Sequence, residues 1–152
     1  MKLKPIFAAA AATLAFSVPA IADIIVSDPY ARSSGPTAKS GAAFLVIENT
    51  GDTDDHLIAV MSDFAKRTEL HTHIESGDGV MSMVHVEEGF AVPAGGMVNL
   101  IRGGKHVMMM GLMQPMLQDE TFIITLIFRD AGEVTVTVPV DLARKPMASM
   151  SH

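Results

Sequence analysis

Three short segments concentrate imidazole and thioether groups: His71-Thr72-His73, Met81-Ser82-Met83-Val84-His85 and His106-Val107-Met108-Met109-Met110. Each repeats at period two, and successive side chains of a strand point to opposite faces. In extended conformation His106, Met108 and Met110 therefore share a face, as do His71 with His73, and Met81 with Met83 and His85. Thioether sulfur is a soft, uncharged donor that suits Cu(I), while imidazole accepts copper in either oxidation state. The upstream and downstream clusters read as two halves of a copper site.

Composition narrows the chemistry. The 152 residues contain no cysteine, which removes thiol redox, the Cys thiolate of a blue-copper centre and the usual structural zinc ligands. An exported chain without cysteine draws nothing from disulfides, so its core must hold it. Methionine is the unusual count, 12 against no tryptophan and one tyrosine, although cores use Met sparingly. Acidic residues outnumber basic ones 17 to 11. That balance argues against nucleic acid or anionic lipid and suits a cationic ligand.

These donors need a scaffold. Residues 1–22 read as a secretory leader: Lys2 and Lys4 form a positive n-region, Ile6 to Val18 an apolar stretch, and Ala20-Ile21-Ala22 a small-x-small cleavage site. Without Lys2 and Lys4 the chain keeps 9 basic residues against 17 acidic ones, a net charge of −8. The expected copper-binding β domain is 23–142, one domain with no membrane association after leader cleavage. Residues 143–152 form a tail expected to be flexible, bearing Met147, Met150 and His152.

Within the domain, extended segments are expected at Ile24–Val26 and Tyr30–Arg32, separated by a turn at Asp28-Pro29, and then at Gly41–Glu48, His56–Met61 and Arg67–Ile74. Ser76-Gly77-Asp78-Gly79 signals a hairpin that sets the His71/His73 strand beside the Met81/Met83/His85 strand. Further strands follow at Met97–Ile101, His106–Met110, Thr121–Phe128 and Val134–Val140, with an irregular connection or a single helical turn over Gly111–Asp119. No sustained helical period occurs. Roughly seven to nine short strands at turn-marked intervals predict an all-β sandwich or Greek-key barrel.

The ordered set Glu69-Leu-His71, Met81-Ser-Met83, Pro93-Ala-Gly-Gly96 and Gly103-Gly-Lys-His106-Val-Met108-Met-Met-Gly-Leu112 resembles the periplasmic copper chaperone family called PCu(A)C. The likeness runs from about Tyr30 to Val140 and includes Asp119-Glu-Thr-Phe-Ile-Ile-Thr-Leu-Ile-Phe128. It implies a cupredoxin-like β-barrel and a Cu(I) site made by a His, a Met and the His and Met of the His-x-Met pair. Carried over by motif, the ligands are His71, Met83, His106 and Met108. The family places about ten and about twenty-one residues between successive motif members. Here 11 separate His71 from Met83 and 22 separate Met83 from His106, so the extra turn residue leaves Met81 eligible beside Met83. Gln118 stands where the family commonly has Gly.

Around this set, His73 and His85 share faces with His71 and Met83. They are candidates for outer contacts or a secondary Cu(II) site, with a solvent-facing role favoured. Met109 is expected in the core, and Met110, Met113 and Met116 in packing at an apolar rim. The tail is balanced between extra copper capture and an ordinary polar terminus. Thioethers have no proton to lose, so acid weakens such a site only through its histidines.

The implied function is a periplasmic metallochaperone, not an enzyme. It would pass copper to an acceptor such as cytochrome c oxidase subunit II, at the dinuclear copper centre, or to another copper chaperone. The alternatives are copper storage or tolerance without specific delivery, and a plain exported β-sandwich interaction module.

Overall fold

The computed structural model describes residues 23–146. The leader reading for 1–22 and the Met147, Met150 and His152 reading lie outside the described residues. Ten strands form two antiparallel sheets, with no helix among the described residues. The strands are β1 (Ile24–Ser33), β2 (Ser40–Asn49), β3 (Asp55–Met61), β4 (Ala65–Ser76), β5 (Val80–His85), β6 (Phe90–Val92), β7 (Met97–Leu100), β8 (His106–Leu112), β9 (Thr121–Phe128) and β10 (Gly132–Pro139).

The larger sheet runs β1-β2-β8-β4-β5, with β7 also on β2; the smaller runs β10-β9-β3-β6. Between them lies an apolar core that includes Leu45, Ile47, Leu57, Val107, Met109, Met116, Ile124, Leu126 and Phe128, each at most 2% exposed. Alternation explains the assignment. Val107 and Met109 point inward from β8, so His106 and Met108 must point outward from the same strand.

Two expectations change. The turn expected at Asp28-Pro29 is a bulge inside one continuous strand: the β1–β2 register shifts between Ser27 and Tyr30, and Asp28 takes a φ of 51°. The three-residue β6 was not signalled by the sequence, because so short an apolar run carries no measurable period.

One topological detail builds the site. The edge of β2 facing away from β1 pairs with β7 through Leu45–Glu48 and with β8 through Ser40–Ala43. Residues 101–105 turn outward where β2 changes partner, closed by Ile101 N–H to Lys105 O at 2.8 Å and Gly104 N–H to Ile101 O at 3.1 Å. His106 follows immediately and is buried at that break, beside Phe44.

Candidate metal centre

Residues directly opposite across a strand pair project to the same face. The registers therefore lay out a grid on the outer face of the larger sheet. One row runs Arg32, Ala42, Met108, Glu69 across β1, β2, β8 and β4. The next places His106 opposite His71 and His71 opposite His85. A third pairs His73 with Met83, and Met81 stands one step further out, opposite Glu75. All four residues of the carried-over set lie on this face, on three adjacent strands.

The ring centroids of His71 and His106 are 5.9 Å apart, and those of His73 and His106 are 5.2 Å apart. Two imidazoles on one ion, with metal–nitrogen bonds of about 2.0–2.1 Å, have centroids roughly 5–6 Å apart. Both pairs fall in that range. A cleft of about 400 Å³ opens over His106, with His73, Met83, Met108 and the small Ala42 among its lining. Met83 reaches it and Met81 does not, which separates the two methionines that spacing left equivalent.

Hydrogen bonding fixes which nitrogens are free. His106 donates Nδ1–H to Gly104 O at 2.9 Å, and His71 donates Nε2–H to Glu69 Oε2 at 2.8 Å. That leaves His106 Nε2 and His71 Nδ1 as the buried side-chain polar atoms without a hydrogen-bond partner among the described residues. Buried polar groups are ordinarily satisfied. Two bare imidazole nitrogens on facing strands fit an ion that accepts their lone pairs, each ring being oriented through its other nitrogen as metal-binding histidines usually are. Glu69 is itself held by Arg67, whose Nε lies 3.0 Å from Oε1.

Electrostatics point the same way. Burial, with smaller contributions from His73 and His71 and against the Gly104 hydrogen bond, pushes the His106 pKa below its ordinary 6.5. The hydrogen bond from His71 chiefly holds Glu69 below the usual carboxylate range. Among the described residues no three His, Cys, Asp or Glu side chains gather as a metal-holding group, so an ion held here leans on methionine sulfur. Sulfur plus imidazole selects Cu(I) over hard cations.

The His106 shift sets a pH dependence. The folded ring takes a proton less readily than the unfolded ring, whose ordinary value is 6.5, so the metal-free fold loses stability as pH falls below that value. Loss from this one group proceeds at no more than about 1.4 kcal/mol per pH unit. The Glu69 contribution is present above its ordinary 4.5 and disappears as pH drops through its lower folded value. Urea denaturation of the metal-free chain should show falling stability between pH 7.5 and 5, with a flatter profile in His106→Gln. Equal profiles would remove His106 as the cause.

Other residues depart from expectation. His73 is half-buried and faces the cleft, with a long 3.4 Å contact from Nδ1 to Gly104 O, instead of facing solvent. The signal was there, since His73 shares a face with His71. His85 is on the exposed side, its ring 5.6 Å from His71. Met109 is in the core as expected. Met116 is fully buried against Gly41, Met113 is 62% exposed, and Met110 receives an Arg67 N–H at 3.3 Å.

Comparisons with known proteins agree with this architecture. The family model for LpqE-like lipoproteins matches residues 24–140. A relative named as lipoprotein Lxx21020, from Leifsonia xyli subsp. xyli (strain CTCB07), is 34% identical over 115 residues, 76% of this chain and 68% of its own. The solution structure of Cu(I)-DR1885 from Deinococcus radiodurans is 28% identical with a TM-score of 0.60, covering 85% of this chain and 83% of that one. The copper-bound PCuAC domain from PmoF2 is 22% identical with a TM-score of 0.66, over 81% and 96%. The chain therefore has the PCuAC-like fold.

Proposed function

The chain belongs to the LpqE-like family, and from that premise we propose that it is an exported Cu(I) carrier whose ligands are His71, Met83, His106 and Met108. The observation that carries this reading is the pair of bare, buried nitrogens, His71 Nδ1 and His106 Nε2, on facing strands beside a cleft lined by two thioethers. The copper in Cu(I)-DR1885 and in the PmoF2 domain supports it.

The donor set is uncharged, so it holds Cu(I) without thiolate and without the Cys oxidation that an oxidising compartment promotes. Met83 is 46% exposed on the edge strand β5, which lets an acceptor displace it first. Stepwise exchange from a surface ligand inward is what a carrier needs. Export fits the family name and the leader-like residues 1–22, and the periplasm is the compartment this reading assigns to the carrier. The 152 residues offer no cysteine for lipid attachment. The acceptor would be a copper protein with thiolate ligands, such as subunit II of cytochrome c oxidase, toward which copper moves from neutral thioether and imidazole donors to softer, charged thiolates.

The test is anaerobic Cu(I) titration against a competing chelator, followed by mixing the loaded chain with an oxidase copper domain. One equivalent bound and then transferred is expected. Binding without transfer would leave storage, and no saturable binding would sink the copper reading.

Glu69 gives a further check. Glu69→Ala frees the His71 ring and should weaken Cu(I) binding about 10- to 100-fold, the usual loss for an outer carboxylate partner. Glu69→Gln retains an acceptor for Nε2–H and should lose less. Equal losses in the two variants would mean that the charge, not the orientation, matters.

A further inference from the structure

The cleft has a second chemical character that the ligand set does not use. Arg32 and Arg102, both half-buried, line it together with His106 and Met108. Arg32 stands in the same cross-sheet row as Met108, with only Ala42 between them, so no bulky side chain screens the guanidinium from the thioether.

The nearby Arg144 is neutralised by Asp28 and lies over the Tyr30 ring, 4.2 Å from its centroid. Arg32 and Arg102 are different. Each donates an Nη1–H to the carbonyl oxygen of Arg144, at 3.2 and 3.3 Å, and neither has a carboxylate within ion-pair distance among the described residues. Two uncompensated cations therefore stand at one cleft of a chain whose net charge is −6.

This is an odd place for them if the cleft merely stores copper. Cu(I) held by two neutral imidazoles and two thioethers keeps its full positive charge, and two guanidiniums beside it oppose its retention. A group that is both a copper donor and an anion would be attracted by all three charges.

We infer that Arg32 and Arg102 form an anion subsite that receives an acidic thiol, the molecule taking copper from this chain, and balances the charge of its thiolate and carboxylates. The inference rests on the carrier reading above and specifies the chemistry of the acceptor. The thiol loses its proton to solvent, at a cost lowered by neighbouring cations. Its sulfur then gives an electron pair to Cu(I) as a methionine thioether departs with its own pair. Copper stays in the +1 state, and the incoming negative charge is balanced by the arginines during exchange.

The experiment uses the full chain loaded anaerobically with one equivalent of Cu(I). Transfer is followed by thiolate-to-copper ultraviolet absorption. Two pairs of acceptors are compared: mercaptoacetate with 2-mercaptoethanol, and a two-cysteine peptide flanked by glutamates with the same peptide flanked by glutamines. Rates are normalised to the thiolate fraction.

The anionic member should react roughly tenfold faster at low ionic strength, the lower end of electrostatic steering, and the advantage should shrink as salt screens it. In Arg32→Gln/Arg102→Gln the two rates should converge, while Arg32→Lys/Arg102→Lys, which keeps both charges, should retain the preference. A preference in the peptide pair assigns the subsite to a protein acceptor, and one confined to mercaptoacetate assigns it to a small thiol. Equal rates within both pairs in the unsubstituted chain would overturn the inference and leave the carrier reading standing, whereas failure to take up Cu(I) would overturn both.

Discussion

His106→Ala is expected to lower Cu(I) affinity by at least about two orders of magnitude, more than the 10- to 100-fold loss typical of an outer-shell partner. The ring is 2% exposed, its Nδ1–H is fixed on Gly104, and its Nε2 is buried with no hydrogen-bond partner. Its position is thus set before the ion arrives. Deleting a buried ring also destabilises the fold, so the result needs a volume-conserving companion. Met108→Leu keeps the shape at a cost below about 1.5 kcal/mol and removes only the sulfur. Met109→Leu makes the same chemical change one residue along, on the opposite face, in the core.

Competition with a Cu(I) chelator should show weakened binding in His106→Ala and Met108→Leu, with Met109→Leu unchanged. X-ray absorption should report less sulfur scattering in Met108→Leu alone among the two leucine variants. If Met108→Leu and Met109→Leu bound copper alike, the face assignment of β8 would have no bearing on copper.

The second large effect concerns stability. Gly89 follows β5 and has a φ of +75°, and a Cβ built there would lie 1.9 Å from the carbonyl oxygen of Leu57 and 3.0 Å from its carbon. The obstruction is backbone of β3, so no rotamer relieves it. Gly89→Ala should cost about 3 kcal/mol or more, among the larger effects of single substitutions.

Gly95→Ala is the matched control. Its φ is +65° but nothing lies within 4 Å of the added carbon, so conformational strain alone should cost about 1 kcal/mol. Denaturant unfolding of the two variants separates crowding from strain, and equal losses would refute the contact. Copper stoichiometry should survive in whatever fraction of Gly89→Ala remains folded, because no ligand touches Gly89 in the described structure.

Some of the site was readable from residue order because its cause is local. Period-two alternation put His106 with Met108 and His71 with His73, and turn chemistry at Ser76–Gly79 joined β4 to β5, so half of the constellation followed from neighbours in the chain. The same local rules located β9 at Thr121–Phe128, where β-branched and aromatic residues run up to the Asp130-Ala131-Gly132 turn. They failed at Asp28-Pro29, where a bulge lets one strand continue through a residue pair that usually breaks it.

What alternation cannot specify is which strands become neighbours. Only the folded sheet decided that β8, more than twenty residues beyond β5, inserts between β2 and β4 and sets His106 directly opposite His71. That pairing depends on burying Val107 and Met109 against side chains distant in sequence, a nonlocal packing requirement that carries no periodic mark. The same tertiary arrangement turned His73 toward the cleft, selected Met83 over Met81 as its thioether lining, and brought two arginines from separate strands and turns to the edge of the proposed copper site. The residue types supplied soft sulfur and imidazole donors, and the sheet order supplied their geometry.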